Sequence, residues 1–127
     1  MPESSFPTRS LKKGEILFRE GEEASEAYLI RKGYVSIWRT EGSKCINLAT
    51  KAEGEIIGEM ALIDATTRSA NVTAESDVVV EVIARTQLYA ELENAPATIT
   101  VILHQLLESL RCANDLIAMY ASRQAAK

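Results

Sequence analysis

The sequence is poor in the residues from which covalent scaffolds and catalytic centres are built: its 127 residues include two cysteines, one histidine and three prolines. Two thiols as far apart as Cys45 and Cys112 do not make the dense framework of a small secreted domain, and a chain of this length buries enough surface to fold without staples. Both are read as buried small hydrophobes, with a disulfide or a reactive pair as the alternative. The single His104, flanked by Leu103 and Leu106, cannot supply the several imidazoles of a barrel-type metal centre and reads as a packed or surface histidine. Neither a Gly-x-Ser-x-Gly elbow nor a glycine-rich phosphate loop ending in lysine occurs. No metal, cofactor or catalytic residue is expected, so the protein is expected not to be an enzyme.

Positive charge is scarce as well. With 14 Lys and Arg against 18 Asp and Glu, the formal net charge is -4 and the pI is near 5.1, the opposite of a nucleic-acid-binding footprint. Direct binding to DNA or RNA is not expected. The imbalance is sharpest over residues 51–100, where three cations, Lys51, Arg68 and Arg85, stand among nine acids. An anion held there must depend on very few groups. No apolar run reaches the roughly 18 residues of a membrane helix. The start, Met1-Pro-Glu-Ser-Ser-Phe-Pro, has neither the basic nor the apolar segment of a signal peptide. A cytoplasmic setting without membrane contact is expected.

What is present suits one ordinary domain, with 46% hydrophobic and 25% charged residues. It is read as a single domain over 1–127, with an N-terminal arm (1–10), a β barrel (11–84) and C-terminal helices (85–127). From Leu11 to Ala84, short β-branched or aromatic runs alternate with glycine turns, the pattern of an all-β barrel or sandwich. Strands are predicted around Glu15–Phe18, Ala27–Ile30, Val35–Trp38, Ile46–Leu48, Ser69–Ala74 and Val78–Ile83. After Arg85 the period changes. Thr86 is placed as N-cap of a short helix ending near Leu92, and Asn94-Ala-Pro96 separates it from a long helix over about Ala97–Ser122. Along that helix Leu103, Leu110 and Ile117 recur every seven residues, with Leu106, Ala113 and Tyr120 as a companion row. Such a helix either packs on its own barrel or is shared with a second copy in a homodimer.

The segment Ile56-Ile-Gly58-Glu59-Met-Ala-Leu-Ile63, followed by Asp64-Ala-Thr-Thr67-Arg68-Ser69-Ala70, is neither a clean strand nor a long helix. Gly58 permits a sharp turn. Glu59 to Leu62 can form one helical turn whose free amides cradle an anion, and Arg68 offers a guanidinium fork for two phosphate oxygens. A carboxylate at Glu59 would repel bare phosphate, so it asks for a hydroxyl donor beside the phosphate, such as a ribose 2′-OH. The alternative is a local Glu59–Arg68 salt bridge with no ligand. The residue types alone leave both open.

Three blocks in order, Lys13-Gly-Glu-Ile-Leu-Phe-Arg-Glu-Gly21 through Gly33-Tyr-Val-Ser-Ile, Gly54-Glu-Ile-Ile-Gly58-Glu59-Met-Ala-Leu62, and Arg68-Ser69-Ala70, strongly resemble the cyclic nucleotide-binding domain family. The resemblance covers about Leu11 to Asp115. It is nearest to the sensor domain of catabolite-activator type bacterial regulators. It implies a double-stranded β-helix, or jelly roll, followed by a short and a long helix, with a phosphate-binding cassette at 58–70. By that analogy Glu59 accepts the ribose 2′-OH, Arg68 neutralises the cyclic phosphate and Ser69 donates to phosphate or base. Amides near Met60, Ala61 and Ala70 would complete the cradle. Asn114 on the long helix would address the purine, or else is a solvated surface residue. Thr67 stands where many members have proline, Ile57 where phenylalanine is common and Met60 where leucine is common. The first loosens the approach to Arg68, and the other two are tolerable apolar exchanges.

The expected function is that of a non-enzymatic sensor whose ligand is cyclic AMP ahead of cyclic GMP. The bacterial regulators carry a DNA-reading segment after the long helix, whereas this sequence ends at Lys127, so a stand-alone module is expected. It would signal by movement of the long helix to an effector protein or a second copy. The alternative is a degenerate jelly roll that serves as a structural or protein-interaction module without nucleotide.

Overall fold

The computed structural model describes residues 6–63 and 66–125, with the side chains at 66, 111 and 114–125 excepted. The described chain forms two compact units, Met1–Gln87 and Leu88–Lys127.

The first unit is antiparallel β structure. Strands β1 (Thr8–Leu11), β10 (Val78–Ala84), β4 (Glu26–Lys32) and β7 (Ile56–Ile57) form one sheet in that order. Strands β2 (Ile16–Phe18), β9 (Asn71–Ala74), β5 (Tyr34–Glu41) and β6 (Lys44–Ala52) form the other, and β3 (Glu23–Ala24) with β8 (Thr66–Thr67) makes a small ladder. Apart from the β5–β6 hairpin, consecutive strands are thus divided between sheets, as in a jelly roll. Their inward residues form one core of Leu11, Leu17, Tyr28, Ile30, Val35, Ile57, Val72, Ala74, Val78 and Val80. Alternation explains the pairing: Val80 lies opposite Ile30 across β10 and β4, so both fall on the buried face. Gly33 turns β4 into β5 with φ 84°. A Cβ there would strike the Asp77 carbonyl and the Ser76 hydroxyl, so only glycine fits.

Three expectations need correction. Residues 8–10 are not a free arm, because β1 pairs with β10 from Thr8↔Glu81 to Leu11↔Val78. Ser69 and Ala70 are bends that lead into β9 and do not belong to the strand. Both cysteines are free and exposed. Cys45 lies on β6, at the edge of its sheet, where one side of the strand has no neighbour to cover it.

Helix α1 (Arg85–Glu93) begins one residue before the predicted cap, which places Thr86 inside the first turn. Helix α2 (Ala97–Ala125) extends slightly beyond the predicted range. The Thr100 hydroxyl donates to the Leu92 carbonyl at 3.0 Å, tying the start of α2 to the end of α1. His104 is exposed and its ring stacks on Tyr89 with centroids 6.2 Å apart. Ile117 and Tyr120, members of the predicted heptad rows, have side chains outside the described residues. Among the described residues, no helix is long and apolar enough to cross a membrane.

Candidate functional site

The site is built where the chain between β7 and β9 folds back on the connection between β2 and β4. Strand β7 pairs with β4 through Tyr28↔Ile57, and β8 pairs with β3 through Glu23↔Thr67. Thr67 is therefore held in a ladder despite lacking the ring of a proline, and Ile57 fills its place in the core at 2% exposure. Immediately after β8 the Arg68 N–H donates to the Glu22 carbonyl at 2.7 Å, and the Arg68 carbonyl accepts from Gly21 N–H at 2.9 Å. Both backbone groups of this residue are fixed before its side chain is considered.

The Arg68 side chain is drawn into the barrel, leaving the residue 7% exposed. Its Nη2 donates to the Glu26 carbonyl at 2.8 Å. Its Cζ lies 4.0 Å from the ring centroid of Phe18 and 5.6 Å from that of Tyr28. Nε is buried with no hydrogen-bond partner among the described residues. Taking a guanidinium out of water costs several kcal/mol. A carbonyl and an aromatic face offset part of that cost, and the unmet Nε–H is a donor available to an acceptor that the described residues do not provide.

Glu26 is shared between a hydroxyl and a guanidinium. Its carboxylate accepts from the Tyr28 hydroxyl at 2.6 Å and stands 3.9 Å from the Arg9 guanidinium. Burial, then the hydrogen bond to Glu26 and that residue's negative charge, push the Tyr28 hydroxyl up to about 12, while Arg68 and Arg9 pull it the other way. A cleft of about 220 Å³ opens beside this network, lined by Ser25, Glu26, Phe18, Tyr28 and Arg68 among others. Of the site residues predicted from sequence, it includes Arg68 alone.

Gly58 and Arg68 are brought together. Gly58 opens the predicted turn with φ 71° and ψ 27°, in the left-handed region. A Cβ at this position would lie 2.5 Å from Arg68 Nη1 and 3.6 Å from the Phe18 ring. Glycine is needed twice, for the conformation and for the close approach of the guanidinium. The predicted helical turn over Glu59–Leu62 is present as one turn of 3-10 helix. The Ala61 N–H donates to the Gly58 carbonyl at 3.1 Å, so this amide closes the turn and is not free for a cradle.

Glu59 is exposed, Met60 half-buried, Ala61 buried, Ser69 exposed and Ala70 buried. Among the described residues no ion pair joins Glu59 to Arg68; the arginine turns to a carbonyl and two rings instead. Asn114 lies on α2, with its side chain outside the described residues. Sequence reasoning missed Glu26, Phe18 and Tyr28. Their signal was weak: all three stand in the first of the family-like blocks, but as ordinary strand residues with nothing to mark them as partners of Arg68.

The site is thus a glycine-initiated turn beside a buried arginine, set in a jelly roll, and among the described residues no ion pair to that arginine is present. Comparison with known proteins narrows its reading: residues 8–95 match the family model described as "Cyclic nucleotide-binding domain". The chain belongs to the cyclic nucleotide-binding domain family. It is 45% identical over 67 residues to cGMP-dependent protein kinase 2 of Homo sapiens, covering 51% of this chain and 9% of the kinase. It is 30% identical over 124 residues to the Cyclic AMP receptor protein of Thermus thermophilus, covering 94% of this chain and 57% of the receptor. The chain thus spans only part of either relative. Among solved structures it is similar to the half-site-occupied form of the EAL enzyme Bd1971, with TM-score 0.81 and 36% identity over 87% of this chain and 99% of that one. Other structures of Bd1971 are described as cAMP bound and cGMP bound.

Proposed function

We propose that the protein is a non-enzymatic cytoplasmic sensor that binds a 3′,5′-cyclic nucleotide, cyclic AMP ahead of cyclic GMP, and signals through α2. The observation that carries this reading is the state of Arg68: buried and, among the described residues, without an ion pair to Glu59 and with no partner for its Nε–H. A monoanionic cyclic phosphate supplies the missing acceptor and charge. Exposed Glu59, which follows Gly58 at the first residue of the 3-10 turn, accepts the ribose 2′-OH. Ser69 donates to the phosphate, with amides near Met60 and Ala70, and Asn114 addresses the purine. Preference for cyclic AMP is supported by the likeness to the Thermus receptor, whose match extends over 94% of this chain.

Residues 1–127 act in this reading as one module in which ligand shifts α2 between two positions. A second copy or an effector protein reads the shift. Homodimer formation through α2 is supported by its two heptad rows, of which Leu106 and Leu110 are 56% and 52% exposed. No direct contact with nucleic acid or membrane is part of the mechanism.

Calorimetric titration with cyclic AMP, cyclic GMP and the 5′-monophosphates tests the reading. A cyclic form binds, cyclic AMP more tightly, and Arg68→Leu weakens it by about 1.5–3 kcal/mol, roughly 10- to 150-fold. Glu59→Gln weakens the ribonucleotide but leaves the 2′-deoxy analogue nearly unchanged. Absence of binding by either cyclic nucleotide establishes the scaffold alternative instead.

A further inference from the structure

The reading above names the groups that touch a ligand but not what holds Arg68 ready for one. Among the described residues, a hydrogen bond from Nη2 to the Glu26 carbonyl fixes one end of the guanidinium. Two rings lie against the same group. Phe18 lies directly under it at 4.0 Å, and Tyr28 backs Phe18 with ring centroids 6.0 Å apart and planes 27° from each other. Phe18 also approaches within 3.6 Å of the position a Gly58 Cβ would take, so one ring touches the turn and the cation together.

The backbone reinforces this placement. Phe18 pairs with Val72 and Ile16 with Thr73, a register shift of one residue that marks a bulge at the end of β2. Bulges of this kind re-aim a side chain beside a site. Strand β9 begins three residues after Arg68, so the ladder that carries the ring also fixes the chain that carries the cation.

We propose that Phe18 is a positioning residue for anion recognition: its ring is the seat that holds the Arg68 guanidinium in place with the Nε–H free of partners among the described residues. The inference rests on the cyclic-nucleotide reading for the identity of the anion, but the seat itself exists without ligand. Arginine is the cation suited to this seat, because its planar group stacks on a ring while its edge still donates.

The test begins with the ligand-free protein. The Arg68 Nε–H resonance, assigned by its loss in Arg68→Lys, is expected to be observable and shifted upfield by the ring current. Phe18→Leu moves it toward the position of a free arginine, and Phe18→Tyr keeps it. Calorimetry with cyclic AMP then shows Phe18→Leu weakened roughly 3- to 30-fold, the range of a partly desolvated cation–π contact, and Phe18→Tyr close to wild type. In an Arg68→Leu background Phe18→Leu produces no further loss.

An Arg68 resonance without ring-current shift in the wild type overturns the proposal even if Phe18→Leu does not fold. Wild-type affinity in a folded Phe18→Leu overturns it as well. A wild type that shows the shifted resonance but binds no cyclic nucleotide defeats the functional reading and the role of the seat in recognition together. A wild type that binds while Phe18→Leu is silent defeats the seat alone.

Discussion

In the unit Met1–Gln87, Ile30, Val35, Val72, Val78 and Val80 are each less than 2% exposed, whereas in Leu88–Lys127 Ile99, Val101, Ile102, Leu106 and Leu110 are each more than half exposed. Residues of the same kind have opposite fates. Strands with side chains alternating at period two, divided between two sheets, close a core among themselves, and the β unit needs nothing further to bury its valines. A single long helix presents its apolar rows on a cylinder, and burying such a row takes another element. The β unit holds a buried arginine inside a finished core; the helical unit leaves large apolar side chains exposed.

Substitution in each unit puts this contrast at risk. Ile30→Ala removes a fully buried side chain and is expected to destabilise the protein by about 2–5 kcal/mol in urea unfolding. A loss near zero would mean that the β core relaxes freely around the gap.

A smaller effect comes from the hydroxyl beside the arginine. Tyr28 titrates near 12 in the folded protein against 10.0 as its ordinary value. A folded value raised above the unfolded one gives stability that is fully present below about pH 10 and is lost as pH rises through about 12. That loss amounts to about 2–3 kcal/mol. Unfolding followed across this range shows the decline, and Tyr28→Phe flattens it; the same slope in both proteins would place the titrating group elsewhere.

The smallest effect on unfolding is expected in the helical unit. Leu106→Ala should change stability by no more than about 0.5 kcal/mol at low protein concentration, as for an exposed residue, while weakening self-association in sedimentation equilibrium. Should Leu106→Ala cost as much as Ile30→Ala in dilute solution, the α2 face is covered within one chain and the contrast between the units disappears.

Much of the architecture was legible in the sequence because it is local. Alternation placed the predicted strands within or close to the observed ones, and the spacing after Gly58 foretold a single helical turn where Glu59–Leu62 form one. The small ladder of β3 with β8 escaped notice, since two residues carry no period. The strand character of Thr8–Leu11 was hidden for another reason: its pairing partner lies about seventy positions away on β10. Cys45 was misjudged because a thiol's average preference for burial says nothing about whether its strand ends up at a sheet edge.

Arg68 shows the same division within the site. Its scarcity of neighbouring cations and its spacing from Gly58 are properties of the sequence, and together with the family resemblance they marked it as the candidate anion-binding group. Whether its charge is quenched by Glu59 or left available is not. That depends on a carbonyl 42 residues earlier in the chain and on the face of a ring on another strand.

The sequence by itself determined the type and order of the elements, the glycine that opens the turn and the family to which the pattern points, since each follows from the chemistry of near neighbours. Only the tertiary structure decided which groups surround the buried cation. Desolvation, cation–π contact and an unmet N–H are properties of a place in the fold, and that place is assembled from strands that meet only when the barrel closes.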